Sequence, residues 1–240
     1  MKKILAFLLI TFSTEIFCKD LRKISYDGPN CLNTVLLYKG FNQSYHYTSL
    51  AEFQIVLTSP LCQQVSFHSL EENLVGIVQS ESKFANPNFI SHGFIKIKDQ
   101  SVFEKKGYSS EEPIRLVDLS TVIKDYEIQN PEQSIKLFRC QQFDLWKRQA
   151  NLSLEILNYL SKLEEIERKL NSNSEVSLID FIENVKNYQI QSQDEILALK
   201  LMAAKIVSLA NQLSIWKKND LYSKTKLYEY DPEHVLKIFE

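Results

Sequence analysis

The alternation of apolar and polar positions divides this chain into a mixed first half and a helical second half. Leu32, Val35 and Leu36 recur at helical spacing behind the Gly28-Pro29 turn, and Gly40 stops the pattern, which predicts a helix opening at about Cys31. Thr48-Ser49-Leu50-Ala51-Glu52 carries a capping box for a short helix toward Leu57, ended by Ser59-Pro60. Leu74-Val75-Gly76-Ile77-Val78 is short and β-rich and predicts a strand, followed by a polar loop that contains Pro87. From His92 to Lys98 apolar and polar residues alternate as in a half-buried strand. Asp99-Gln100 then reads as a tight turn and Ser101-Val102-Phe103-Glu104 as the returning strand. The hairpin so formed has His92 near its start and Glu104 approaching the same end of the sheet. Arg115-Leu116-Val117-Asp118-Leu119 is predicted as a closing strand or loop, and residues 126–140 carry the chain across the domain.

From about Pro131 the pattern turns helical. Leu152, Ile156, Leu160, Leu163, Ile166 and Leu170 recur at spacings of three and four between charged residues. Asn171-Ser172-Asn173-Ser174 breaks that helix, Ser177 opens another, and a capping box from Ser192 to Glu195 opens a third running to about Lys218. The apolar faces suit packing on one another or on the first half; a partner-binding or dimerising arm is the other use for them. No internal repeat or low-complexity segment interrupts the pattern.

Composition narrows the setting. The chain has 240 residues and a net charge of −2, with 28 Lys and Arg against 30 Asp and Glu and no basic block. Nucleic acid is therefore not an expected partner. Met1-Lys2-Lys3 is a short basic region, and Ile4 to Phe12 is an apolar run too short to span a bilayer. Residues 1–18 are thus predicted to be a secretory signal peptide, and the protein to be exported to the periplasm, cell envelope or exterior. Cys18 is a weak lipidation candidate, since Glu15-Ile16-Phe17 precede it where small residues are wanted; membrane attachment is expected only if Cys18 is acylated. An α+β domain is expected over 19–130 and an α-helical region over 131–240.

Without the leader, Cys31, Cys62 and Cys140 remain, with Cys18 uncertain. An exported compartment permits disulfides, and Cys62 with Cys140 is the natural pair, which leaves Cys31 free; other pairings stay open. Tyr26-Asp27-Gly28-Pro29-Asn30-Cys31 delivers this thiol to the first turn of a helix. Amides at a helix N-terminus favour an anion there, which is how a fold prepares a sulfur nucleophile. A buried or disulfide-bonded cysteine is the plain alternative. His92 alone reads as a strand-end histidine with a satisfied hydrogen bond, and Glu104, ahead of Lys105-Lys106, as a solvated turn charge. Asn30 is a candidate to orient the site or to cap the helix, and Tyr26 a candidate to line a pocket. His46, His68 and His234 have no metal-ligand spacing with any cysteine, so no metal is expected. There is no phosphate loop, dinucleotide fingerprint or Gly-x-Ser-x-Gly elbow, and no cofactor is expected.

The order of a helix-borne cysteine, a strand, and a strand running His-Gly-Phe-Ile into a hairpin resembles the NlpC/P60 family of papain-like cysteine peptidases. The resemblance covers about residues 26–110. It departs from the family pattern at Glu72-Asn73, where a Gly-Asp pair is usual, and at Asn30-Cys31-Leu32, where Asp-Cys-Ser is usual. It implies a papain-like core, an N-terminal helix packed on a small antiparallel sheet, with Cys31 as nucleophile, His92 as base and Glu104 in the place of the residue that orients the histidine. The implied activity is thiol-dependent hydrolysis of amide bonds in cell-wall peptides. Two other readings stand beside it: a non-catalytic envelope protein whose helical half binds a partner, and an acyltransferase or lipid amidase built on the same residues.

Overall fold

A computed structural model describes residues 30–79, 90–107, 112–171, 178–210, 212, 213 and 239. The expected signal peptide, Cys18, Tyr26, the loop holding Pro87, and His234 lie outside the described residues. Among the described residues the fold is mixed, with eight helices and one six-stranded sheet.

Helix α1 (Cys31–Tyr38) is followed by α2 (Leu50–Thr58), then strands β1 (Cys62–Val65), β2 (Leu74–Gln79), β3 (Ile90–Lys98), β4 (Ser101–Lys105) and β5 (Ile114–Asp118). Helices α3 (Leu119–Asp125) and α4 (Pro131–Ser134) lead to strand β6 (Ile135–Cys140), and α5 (Phe143–Gln149), α6 (Leu154–Asn171), α7 (Leu178–Val185) and α8 (Gln193–Ala210) complete the described chain. The sheet runs β1-β6-β2-β3-β4-β5, every neighbouring pair antiparallel.

Strand β6 corrects the expectation of an α-helical region from residue 131. Pro131 opens only one helical turn, and Ile135 and Leu137 then alternate with the less buried Lys136 and Phe138, the period of a strand. The sheet therefore extends past residue 130, and the helical region proper begins at α5. Strand β1, Cys-Gln-Gln-Val, is an edge with little buried surface and carries no apolar run that would announce it. It is tied to its neighbour by a Cys62–Cys140 disulfide across directly paired residues.

Both faces of the sheet are covered. On one face Val75, Ile77, Ile95 and Phe103 join Leu32, Val35 and Leu36 of α1 in the larger core, which continues without a break into α6, α7 and α8. On the other, Leu74, Val78, Phe94 and Val102 pack with Leu119 and Val122 of α3 and with Ile128. Burial on both sides explains why β2 reads as an unbroken apolar run. Two glycines permit close approach. A Cβ at Gly76 would meet the Phe94 ring at 2.1 Å, and one at Gly93 would meet Leu32 of α1 at 3.1 Å.

The C-terminal helices also grip the loop between α1 and α2. Lys205 Nζ of α8 donates to the Phe41 carbonyl (2.7 Å), Asn42 Oδ1 (2.8 Å) and Glu167 Oε2 of α6 (2.8 Å). Glu167 Oε1 accepts from the amides of Gln43 (2.9 Å) and Ser44 (3.2 Å). Among the described residues no helix is long and apolar enough to cross a membrane.

Candidate active site

The site begins with a helix cap. Asn30 Oδ1 accepts from the Asn33 amide (2.9 Å) and the Thr48 amide (3.3 Å), while its Nδ2 donates to the Thr48 carbonyl (2.7 Å). Asn30 is thus engaged as the N-cap and as the tie to the following loop. The first intrahelical bond is donated by Thr34 to the Asn30 carbonyl. The amides of Cys31 and Leu32 precede it and point out of the helix end. Cys31 opens this helix, is not disulfide-bonded, and is 8% exposed.

His92 comes from β3. The β2–β3 ladder slips between Val78 and Gln79, so that Val78 faces His92 and Gln79 faces Ile90, and the irregularity re-aims the side chains beside it. Next in the strand, Gly93 admits Leu32, which brings the N-terminal turn of α1 onto this part of β3. The imidazole is fully buried between the rings of Phe94 (centroids 6.2 Å apart) and Tyr126 (4.4 Å, 21° between planes). Its Nε2 lies 2.6 Å from Glu104 Oε2, and its Nδ1 lies 2.8 Å from the Tyr126 hydroxyl.

Glu104 is fully buried and is not a solvated turn charge. It stands opposite Phe94 across β3–β4 and opposite Arg115 across β4–β5. Arg115 donates to Glu104 Oε1 through Nε (2.9 Å) and Nη2 (2.5 Å), and through Nη2 to Asp125 Oδ2 (2.6 Å).

The electrostatics follow from these contacts. Burial works against a charged imidazole, but the nearby Cys31 and the hydrogen-bonded Glu104 outweigh it and raise His92 above its ordinary value. Burial likewise opposes a charged Glu104, yet hydrogen bonds and attraction from His92 and Arg115 hold its carboxyl below the usual range. Burial raises the Tyr126 phenol, and the neighbouring Cys31, Glu104 and Glu112 raise it further, so it stays protonated. A charged Glu104 accepts, so the Nε2 proton points to it, Nδ1 is the acceptor, and Tyr126 donates.

The structure therefore brings together Cys31, His92 and Glu104, three of the residues singled out in the sequence. No family model, curated protein or solved structure matches the chain. The remaining histidines lie elsewhere: His46 is buried 3.4 Å from Glu167, and His68 is exposed beside Glu132. Among the described residues no group of three or more His, Cys, Asp or Glu could hold a metal ion. Tyr126, Arg115 and Asp125 escaped the sequence reading. Arg115 sat in a recognised segment whose strand register alone would have set it against Glu104, whereas Tyr126 follows a helix that the pattern did not announce.

Proposed function

We propose that this protein is an exported, papain-like thiol hydrolase of the NlpC/P60 kind, cleaving amide bonds in cell-wall peptides. The observation that carries the reading is the buried His92, held by Glu104 at Nε2, with the free Cys31 at the start of α1 near enough to raise the imidazole. A thiol needs a base to take its proton, and that base needs an acceptor on its other nitrogen to fix tautomer and direction. The Cys62–Cys140 disulfide supports export, because such bonds persist in oxidising compartments.

With Nε2–H directed at Glu104, Nδ1 is the nitrogen that receives the Cys31 proton. Sγ then attacks the substrate carbonyl carbon, and the negative charge moves onto the carbonyl oxygen. The amides of Cys31 and Leu32 are the donors placed to receive that oxyanion. Imidazolium Nδ1–H protonates the departing amine as the carbon–nitrogen bond breaks, leaving a thioester on Cys31. Water, deprotonated by the same Nδ1, attacks the thioester, and the proton returns to sulfur as the acid leaves.

The test is the rate of Cys31 alkylation by iodoacetamide across pH, on the wild type and His92→Ala, followed by muropeptide digestion. Fast alkylation near neutral pH that falls about a hundredfold in His92→Ala is the expected result. An inert Cys31 overturns the reading and leaves the non-catalytic envelope protein in its place. Reactivity without muropeptide cleavage keeps the chemistry and passes the substrate to the acyltransferase or lipid-amidase class.

A further inference from the structure

Glu104 must shed its water to sit in a core, so its carboxylate needs both oxygens engaged there. Its Oε1 accepts two hydrogen bonds from Arg115 and its Oε2 is taken by His92, so both oxygens are fixed. Arg115 is itself fixed by Asp125 at the end of α3, whose next residue is Tyr126. The chain of contacts therefore runs from Asp125 through Arg115 and Glu104 to His92, and returns to the other ring nitrogen through Tyr126.

We propose that Arg115 is a positioning residue of this site: it clamps the Glu104 carboxylate against His92 Nε2, and Asp125 holds the clamp. The proposal rests on the thiol-hydrolase reading for its consequence in chemistry, but not for the clamp itself. Without the cation Glu104 is one of two neighbouring carboxylates, with Asp125, that have lost their shared counter-charge. The buried carboxyl then takes up a proton or turns away, and the imidazolium loses its partner. Arg115 opposes that outcome in two ways, by geometry at Oε1 and by charge, since it keeps the carboxyl ionised. The other ionisable groups around the chain are Cys31 and Tyr126 at the ring, Glu112 beside Tyr126, and Lys106, 3.5 Å from Asp125. Lys105, adjacent in β4, spends its ammonium on the Glu112 carbonyl at 2.6 Å and does not replace the clamp.

The experiment compares wild type with Arg115→Met, Arg115→Lys, Glu104→Gln and the Arg115→Met/Glu104→Gln double variant. Each is read by the His92 ring titration in NMR and by Cys31 alkylation across pH. Arg115→Met is expected to lower the His92 titration toward the ordinary histidine value and to slow alkylation near neutral pH about tenfold, the worth of one charge-assisted hydrogen bond. Glu104→Gln should do the same, and the double variant should be no slower than Glu104→Gln alone, because both changes act on one contact. Arg115→Lys keeps the charge but not the fork and should recover part of the loss, which a failure to fold would not allow. A His92 titration that stays in place or rises in Arg115→Met, or losses that multiply in the double variant, overturns the proposal. If wild-type Cys31 is inert the hydrolase reading falls, while the ring titrations still decide whether Arg115 clamps Glu104.

Discussion

The Tyr126 hydroxyl and His92 Nδ1 lie 2.8 Å apart, with the two rings stacked at 4.4 Å. Nδ1 has one lone pair, and it is also the atom that the proposed chemistry needs for the Cys31 proton. Tyr126 and Cys31 therefore compete for it. Replacing Tyr126 with Phe keeps the stacked ring and removes the competitor. Cys31 alkylation near neutral pH should rise severalfold, while thermal denaturation shows a loss of only about 1 kcal/mol, as for one hydrogen bond. A slower reaction would instead make the hydroxyl a guide for the ring.

The His92–Glu104 pair should leave its mark on stability between two pH limits. His92 is raised in the folded protein, so its contribution is fully present below the unfolded value of about 6.5 and is lost as pH climbs through the folded one. Glu104 is lowered, so its contribution is present above about 4.5 and is lost as pH falls through its folded value. The melting temperature of wild type minus that of Glu104→Gln should accordingly peak between these limits and shrink on both sides. A difference that is flat with pH would mean the pair is not ionised.

Glu52 of α2 slopes the opposite way from Glu104. Burial pushes it up to about 7, against the attraction of Lys205 and a hydrogen bond from Ser208 on α8, with Glu167 adding to the rise. A raised carboxyl binds its proton more firmly folded than unfolded, so stability is lost as pH climbs from about 4.5 through 7. The full effect is about 3 kcal/mol at most. Glu52→Gln should remove this decline, and chemical denaturation at pH 5 and pH 8 measures it.

Lys205 and Glu167 form a buried ion pair at 2.8 Å. Lys205→Met should cost about 3–5 kcal/mol, because it strands the Glu167 charge in the core. Lys205→Met with Glu167→Leu should cost less than the single change, and urea titration of the three proteins checks the order.

Some of this architecture is legible in the sequence because it rests on short-range signals. The helix after Gly28-Pro29 and the His92–Glu104 hairpin announce themselves through spacing and alternation, and a hairpin by itself puts residues near its two ends side by side. What escaped depends on distance. Strand β1 places two glutamines between a cysteine and Val65 and is a strand because β6 pairs with it across the disulfide. Strand β6 sits between β1 and β2, a position that no local pattern encodes. Tyr126 is 34 residues from His92 and reaches it only because α3 packs under the sheet on Leu119 and Val122. Arg115 needed the β4–β5 register, which a closing strand of unknown pairing does not supply.

The disulfide closes a loop of 78 residues that contains β2, β3, β4 and β5. Cys62→Ala with Cys140→Ala should lower stability by about 4 kcal/mol, read by thermal denaturation with and without reductant. The His92–Glu104 contact lies inside the closed loop and does not use the bond, so alkylation of Cys31 in the still-folded fraction should keep its rate.

The grip of Lys205 on Phe41 has a consequence in time. The two residues are 164 positions apart, and the loop they fix leads directly out of the helix that begins at Cys31. A chain that emerges from its N-terminus presents the thiol early and α8 late. The contacts that seat the first helix are therefore closed only after most of the polypeptide has been delivered. The surroundings of Cys31 are complete only once α8 has been made and has docked.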